Sequence, residues 1–258
     1  MTRLVILCVD GLDPDFASEN NFSMEYESRM SIPVELYSEM GSPWTPRVWP
    51  SIFSGELELY PFLKKTNWLR LKIRKFLVSH GITWRRDGLK ITRKRHGYRL
   101  IHMPRIAENL VIDNYRSFIY RVPAVSNDYF YGTYPDYVEL EWEQFNVLAS
   151  FSRYLDHDIC AIYTRMIDHK GHRYIEGNEV SEKSLCEYYK QVFELVDMIK
   201  GRGAIMLISD HGTLGKHTDY AYLGCTEPVH ANSVLEVRQD IERILDGRAR
   251  VFRNRVRQ

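Results

Sequence analysis

Acidic and imidazole side chains stand directly after apolar runs of this sequence. Asp10 follows the run Leu4–Val9, and the pair Asp210 and His211 follows the run Ala204–Ile208 after a single serine. Carboxylates and imidazoles are ligands for borderline divalent metals such as zinc. The same residues would also suit turns that use Asp for backbone reasons. The pattern therefore leaves two interpretations open, metal-assisted chemistry and ordinary turns.

A third apolar run, Asp158–Thr164, leads to another such group. Asp168 and His172 are four residues apart across Gly171, and that spacing lets both side chains reach one point from a helical turn or a tight loop. His217 follows six residues after His211. These residues extend the candidate metal ligands to a third strand end and to a later loop.

Thr45 is the candidate nucleophile of the chain. With Pro46 next to it, Thr45 fits a helix start, with Thr as the N-cap and Pro at the first helical position. A helix N-terminus attracts anions through its free N–H groups and its dipole. A hydroxyl there can attack phosphorus if its proton is removed, but a capping role alone would also explain Thr45.

The elements that position these side chains follow from the same apolar runs. Runs that are apolar on both faces are typical of parallel strands, and chemistry in such sheets collects at the carboxyl ends of the strands. Helical patterns cover 139–155, 181–200 and 234–245, a short strand is expected near 31–37, and 97–104 reads as another strand. Residues 106–140 look irregular. The alternation predicts one doubly wound α/β domain, a mostly parallel central sheet with helices on both faces, spanning 1–258.

Composition sets limits on partners and compartment. The 258 residues carry a formal net charge of +1, which gives no global attraction to nucleic acid or membrane. The four cysteines are widely spaced without a metal-type pair, and Cys8 and Cys160 lie inside apolar runs, so we expect reduced core residues. With no signal peptide and no run long enough to span a bilayer, the sequence predicts a cytoplasmic protein.

Two segments depart from this charge balance. Residues 64–105 hold 14 of the 35 Lys and Arg and a single acid, Asp87, with a basic amphipathic helix expected over 68–78. This segment could steer a polyanionic substrate or form a small cap, or it could be a solvated surface. The tail 246–258 has five Arg, and we expect it to lie loose on the surface.

The motifs together resemble the alkaline phosphatase superfamily, and within it the type I phosphodiesterase/nucleotide pyrophosphatase family. Similar patterns are Asp10-Gly11 after the first strand, the segment from Thr45 to Gly55, Asp-x-x-Gly-His ending at His172, and Ser-Asp-His-Gly from Ser209. The matches span residues 4–217. The Thr45 segment departs from the family pattern. The family usually has a proline two residues after the nucleophile, whereas this chain has Pro46 one residue after Thr45 and Arg47 two residues after it.

The resemblance implies a site with two divalent ions, usually zinc, with manganese as the alternative. One ion would be held by Asp10, Thr45, Asp210 and His211, and the other by Asp168, His172 and His217, with His230 as the rival to His217. Thr45 would be the nucleophile and form a phospho-threonine intermediate. Arg47, two residues further on, is a candidate for binding the phosphate.

The resemblance implies a phosphodiesterase or nucleotide pyrophosphatase with a small phosphorylated substrate, such as a nucleotide or another phosphodiester. A phosphomonoesterase, phosphonate hydrolase or phosphomutase on the same core is an alternative. An inactive homologue that binds nucleic acid or a protein partner is a third, and the intact set of site residues argues against it. The motifs do not choose the leaving group, because such cores are shared and the walls differ.

Overall fold

A six-stranded sheet forms the centre of the protein. The computed structural model describes residues 2–38, 41–58, 117–121, 142–143, 145–150 and 157–256. The strands of this sheet are β1 (Leu4–Val9), β2 (Tyr26–Ser31), β3 (Ser117–Arg121), β4 (Ile159–Thr164), β5 (Ala204–Ile208) and β8 (Tyr220–Cys225). Their order in the sheet is β2-β8-β5-β1-β4-β3. Between β5 and β8, β6 (Thr213–Leu214) and β7 (Lys216–His217) form a separate two-stranded hairpin.

The inner strands are parallel, as the apolar runs predict. β1 pairs in parallel with β4 on one side and with β5 on the other, and β3 pairs in parallel with β4. Every residue of β1, β4 and β5 is buried, which requires cover on both faces. β8 and β2 complete the sheet as antiparallel strands.

Helices cover both faces of this sheet. They are α1 (Pro14–Glu19), α2 (Thr45–Ser54), α3 (Met166–Gly171), α4 (Glu179–Ile199) and α5 (Val237–Val256), with a 3-10 turn at Val34–Leu36 and further helical residues at 145–150. Alternate residues of β1 enter two separate cores, one shared with α2 and α5 and the other with α1, α3 and α4. The predicted fold class, a mostly parallel α/β sheet with helices on both faces, is confirmed.

Asp13 caps helix α1 by accepting from the Asp15 and Phe16 amides. Three expectations need correction. The strand expected at 31–37 is wrong, because β2 ends at Ser31 and a 3-10 turn follows it. Within the supposedly irregular residues 106–140, the structure forms β3. The tail is not loose as far as residue 256, because helix α5 continues to Val256.

Other expectations fall outside the described residues. The basic segment 64–105, its helix over 68–78 and the strand over 97–104 all belong to this group. Within the described ranges, no helix is both long enough and apolar enough to cross a bilayer. The cysteines Cys8 and Cys160 are free and buried in the core, as predicted.

Candidate metal centre

Three carboxylates meet at the carboxyl edge of the sheet. Asp10 follows β1, Asp210 follows β5 after Ser209, and Asp168 lies in the short helix after β4, so the three come from the ends of adjacent strands. The Asp168 amide donates to the Asp10 carbonyl at 2.9 Å. Gly11 makes this approach possible: its φ is +83°, and a Cβ there would lie 2.4 Å from the Asp168 Cα.

The first half of the site surrounds the Nε2 atom of His211. This atom lies 2.9 Å from the Thr45 hydroxyl, 3.3 Å from Asp10 Oδ1 and 3.4 Å from Asp210 Oδ2. Asp10, Asp210 and His211 are all buried, whereas Thr45 is half-buried. A threonine hydroxyl therefore reaches a buried cluster of three candidate ligands from the solvent side.

The second half of the site surrounds Asp168 Oδ1. His172 Nε2 lies 3.3 Å from this oxygen and His217 Nε2 lies 3.5 Å from it, while the two Nε2 atoms are 3.2 Å apart. The rings of His211 and His217 stack with their centroids 3.8 Å apart, which brings the two halves into direct contact. Asp168 also lies within ligand-sharing distance of Asp10 and His211, so it faces both halves.

All three histidines turn the same nitrogen away from the carboxylates. Nδ1 lies 3.1 Å from the Gly212 carbonyl in His211, 2.9 Å from the Pro43 carbonyl in His217 and 3.5 Å from the Gly215 carbonyl in His172. A carbonyl only accepts, so each Nδ1 is the donor, and in the neutral ring the lone pair is on Nε2. Metal-binding histidines are held in this way by their second nitrogen.

Unpaired buried oxygens test whether a cation fits this site. Asp10 Oδ1 and both carboxylate oxygens of Asp210 are buried without a hydrogen-bond partner. Burying such groups is costly unless a cation or a proton compensates them. A ring of carboxylate oxygens and imidazole lone pairs matches the ligands that zinc and manganese accept, so the residues fit divalent metal ions.

The pKa values of the metal-free chain show the same electrostatic imbalance. Burial raises the pKa of Asp210 to about 7, and burial together with the charges of Asp210 and Asp168 raises the pKa of Asp10 well above its usual range. Burial lowers the pKa of His211. Burial would also raise the pKa of Asp168, but the hydrogen bond from His217 and the histidine charges outweigh it, and this pKa is lowered. Without metal, the raised pKa values of Asp10 and Asp210 thus favour their protonated forms, whereas Asp168 stays ionised.

Thr45 is not the helix cap that the sequence suggested. Helix α2 starts at Thr45 itself, Trp44 occupies the N-cap position, and no side chain caps the helix. The amides of Arg47 and Val48 both donate to the Trp44 carbonyl, and Pro46 has no N–H, so the first turn has few donors left for an anion. The Thr45 hydroxyl is instead directed at His211.

Arg47 anchors α2 to the preceding turn. Its Nη1 donates to the Tyr37 carbonyl at 2.8 Å and to the Glu35 carbonyl at 3.1 Å, and its guanidinium lies 5.1 Å from the centre of the Trp44 ring. These contacts give Arg47 a structural role. Its contact with a phosphate stays a prediction.

Two further residues of the site are not among those that the sequence predicts. The Tyr163 hydroxyl donates to Asp10 Oδ2 at 2.6 Å, and the Thr213 hydroxyl donates to Asp168 Oδ1 at 2.8 Å. Tyr163 lies within a buried strand and looks like a core residue in the sequence. Thr213 directly follows the Ser-Asp-His-Gly motif, and this position next to the motif is the sequence feature that could have identified it as a site residue.

The structure brings the predicted residues together. The set consists of Asp10, Thr45, Asp168, His172, Asp210, His211 and His217. Of the two candidates for the last histidine, His217 lies at Asp168, whereas His230 is exposed in the loop after β8, where its amide donates to Asp240. The geometry therefore favours His217, and the metal-binding role of the set stays a prediction.

Comparison with known proteins gives similarities at the level of solved structures. No protein-family model and no curated protein matches the chain. The chain is similar to alkaline phosphatase from the Antarctic bacterium TAB5 at 11% identity and a TM-score of 0.46, covering 95% of this chain and 99% of that one. A variant of the TAB5 enzyme with bound magnesium gives 11% identity and a TM-score of 0.45, with 95% and 97% covered.

The chain is also similar to an inactive form of murine ectonucleotide pyrophosphatase/phosphodiesterase 5 in complex with AMP. The identity is 11% and the TM-score is 0.41, with 82% of this chain and 57% of that chain covered. Because the identity and the TM-scores are low, the evidence for a functional site comes from the side chains of this chain.

Proposed function

We propose that this protein is a metal-dependent phosphoester hydrolase of the alkaline phosphatase superfamily, with Thr45 as its nucleophile. One observation carries the proposal: the Thr45 hydroxyl lies 2.9 Å from the Nε2 atom of His211, beside buried carboxylates that have unpaired oxygens. A purely structural role for the Thr45 hydroxyl would not explain the imidazole and carboxylate groups that lie around it.

The proposed ligands divide between the two halves of the site. Asp10, Thr45, Asp210 and His211 would hold one ion, and Asp168, His172 and His217 the other. Zinc suits the mixture of nitrogen and carboxylate ligands, and manganese is the alternative. When bound, such ions lower the pKa of a hydroxyl they touch and neutralise charge on a transferring phosphoryl group.

Thr45 performs the chemistry that belongs to the chain itself. Its Oγ1 forms a bond to phosphorus while the bond from phosphorus to the leaving oxygen breaks, which gives phospho-Thr45 and a departing alcohol or phosphate. The proton that Oγ1 gives up in this step ends on the departing oxygen. Water then forms a bond to the same phosphorus and the bond to Oγ1 breaks; one proton of the water passes to Oγ1, and the other hydrogen stays on the released phosphate group. The start of α2 holds Oγ1 in place for both steps, because Arg47 ties that turn to residues 35 and 37.

A phosphodiester or nucleotide is the substrate class that we propose. The motif resemblance supports this choice, and AMP is the molecule bound in the complex of the murine enzyme named above. A phosphomonoesterase, a phosphonate hydrolase or a phosphomutase would use the same core. The basic segment 64–105 is proposed to steer the anionic substrate, and it lies outside the described residues.

Hydrolysis of two model substrates tests the proposal. Bis-(p-nitrophenyl) phosphate is a diester and p-nitrophenyl phosphate is a monoester, and both would be assayed after removal of metal and after addition of zinc or manganese. We expect turnover only with metal, and a higher kcat/KM for the diester. The variant Thr45→Ala is the control for contaminating phosphatases. A higher value for the monoester would overturn the diesterase assignment, and no turnover of either would overturn the nucleophile assignment.

A further inference from the structure

Thr213 touches both halves of the candidate metal centre. Its hydroxyl lies 2.8 Å from Asp168 Oδ1 and 3.3 Å from His211 Nδ1. The residue is buried, and it begins the hairpin strand β6. A single side chain therefore joins a proposed ligand of one ion to a proposed ligand of the other.

The direction of these hydrogen bonds follows from the groups involved. His211 Nδ1 also faces the Gly212 carbonyl, which only accepts, so Nδ1 carries the proton. The Thr213 oxygen accepts from that N–H, and its own proton goes to the Asp168 carboxylate. This arrangement keeps Nε2 of His211 as the lone pair that faces Thr45, and it fixes the Asp168 oxygen that lies nearest His172 and His217.

The backbone of Thr213 is held to the same two loops. Its amide donates at 2.9 Å to the carbonyl of Gly11, the neighbour of Asp10. On the other side it packs against Gly171, where an added Cβ would lie 2.2 Å from the Thr213 carbonyl oxygen. Because these contacts do not involve the hydroxyl, a side chain of the same shape without a hydroxyl should keep the loop in place.

We propose that Thr213 is a positioning residue whose hydroxyl sets Asp168 and His211 relative to one another, so that both halves of the site bind metal. The inference rests on the proposed function, because it concerns the ligands of that same site. Partners that orient metal ligands in this way change metal affinity by about 10- to 100-fold when they are removed. Both ions should be affected, since the hydroxyl contacts one ligand of each.

Metal affinity in three variants tests the role of the hydroxyl. Thr213→Val removes it and keeps the shape, Thr213→Ser keeps it, and Thr218→Val removes a matched hydroxyl from the same loop. The Thr218 hydroxyl donates at 2.6 Å to Asp13, a carboxylate that caps α1 and is outside the proposed ligand set. Zinc dissociation constants would be measured by competition with a chromophoric chelator, and the absorption spectrum of the cobalt-loaded protein would report the ligand geometry.

We expect Thr213→Val to weaken zinc binding at both sites by about 10- to 100-fold and to change the cobalt spectrum. Thr213→Ser and Thr218→Val should bind zinc as the native chain does. Native affinity in Thr213→Val, with only a lower melting temperature, would overturn the inference. If Thr213→Val does not fold, zinc affinity would be compared between Thr213→Ala, which lacks the hydroxyl, and Thr213→Ser, which keeps it. Equal affinities in these two variants would likewise overturn the inference. A native chain that binds no zinc would overturn the proposed function, and the inference with it.

Discussion

At the level of single residues, the proposed hydrolase function depends on what the Thr45 hydroxyl does. The hydroxyl caps no helix and contacts His211 Nε2 at 2.9 Å. Its removal should therefore cost the chain about one ordinary hydrogen bond, roughly 1 kcal/mol of stability, while it removes the proposed nucleophile entirely. Stability and turnover should respond very differently to one substitution.

The substitution Thr45→Ala should lower kcat by roughly 10⁴-fold or more, because a missing nucleophile is not replaced by its neighbours. Zinc binding should largely persist, since Asp10, Asp210 and His211 remain. Thr45→Ser should keep part of the turnover, because it retains a hydroxyl. Steady-state kinetics and the melting temperature of the metal-loaded variants provide the measurement. Near-native turnover in Thr45→Ala would exclude Thr45 as the nucleophile.

Tyr163→Phe tests the contact that restrains Asp10. The Tyr163 hydroxyl occupies Asp10 Oδ2 at 2.6 Å and leaves Oδ1 facing His211, so its loss should let the carboxylate rotate. The ring should still pack against Trp49, whose ring centre is 5.6 Å away. We expect zinc affinity to fall by about tenfold. The free energy of unfolding should fall by about 1–3 kcal/mol, because the buried carboxylate loses its donor.

A matched tyrosine provides the control for this substitution. In Tyr222→Phe the lost hydroxyl donates to Glu27 at 3.2 Å, away from the proposed ligands, and zinc affinity should stay native. Equal zinc affinities in the two variants and the native chain would show that the Tyr163 hydroxyl does not orient Asp10 for metal.

The proposed ligands could be predicted from the sequence because each follows a strand or a recognisable motif. Asp10, Asp168 and Asp210 stand just beyond apolar runs, and the ends of neighbouring parallel strands converge. Tyr163 and Thr213 could not be predicted in the same way. Their roles depend on which distant side chain each hydroxyl meets, and local sequence does not specify that contact.

At the scale of elements, close packing of loops sets the geometry of the site. The loop after β1, helix α3 and the hairpin strand β6 touch through backbone atoms, with Gly11 against Asp168 and Gly171 against Thr213. Such contacts leave no space for a side chain at the glycines. Since the neighbouring atoms are backbone, they cannot rotate away from an added methyl group.

Gly171→Ala should separate α3 from β6. The new Cβ would lie 2.2 Å from the Thr213 carbonyl oxygen, so the hairpin has to shift, at a cost of about 1–3 kcal/mol in the free energy of unfolding. The shift should also weaken zinc binding, because Thr213 would move from Asp168. Urea unfolding of the metal-free protein and zinc titration would measure the two effects.

Gly247→Ala is the control for the added methyl group. An added Cβ meets nothing within 4 Å there, in the described part of α5, and alanine favours a helix over glycine by up to about 1 kcal/mol. Stability should rise slightly and zinc affinity should not change. If Gly171→Ala behaved like Gly247→Ala, the close contact of α3 and β6 would not matter for the site.

Elements with a strong local pattern were predicted well, and those that depend on distant partners were not. β1 and β5 have the predicted bounds because a fully buried strand reads as an uninterrupted apolar run. β3 is short and lies in a polar region, and its pairing with β4 defines it. Similarly, the antiparallel pairing of β2 with β8 joins residues about 200 positions apart, which no local pattern specifies.

At the scale of the whole molecule, the site links stability to pH and metal. Burial lowers the pKa of His217, but the Asp168 carboxylate and the Pro43 carbonyl outweigh it and raise the pKa to about 9 from 6.5. Stability from this raised pKa is complete below pH 6.5 and is lost as the pH rises through 9. The raised pKa of Asp10 acts in the same direction, because a buried carboxylate resists ionisation.

The metal-free protein should therefore become less stable as the pH rises from 6.5 to 9. The lowered pKa of His211 acts below pH 6.5, so it does not offset this loss in that window. With zinc bound, the same groups hold metal in place of protons, and the decline should be small or absent. Urea unfolding at several pH values, with chelator and with zinc, measures both curves. Equal stability of the chelated protein at both ends of the window would contradict the electrostatic account.

The number of zinc ions that the chain binds decides whether it holds a two-metal site. Protein stripped with a chelator would be titrated with zinc, and the bound ions counted by native mass spectrometry for the native chain, His172→Ala and Asp210→Asn. The account predicts two ions per native chain and the loss of one ion in each variant, a different one in each case. A native chain that binds no ion with zinc in excess, and that gains no phosphodiesterase activity from zinc or manganese, would contradict it.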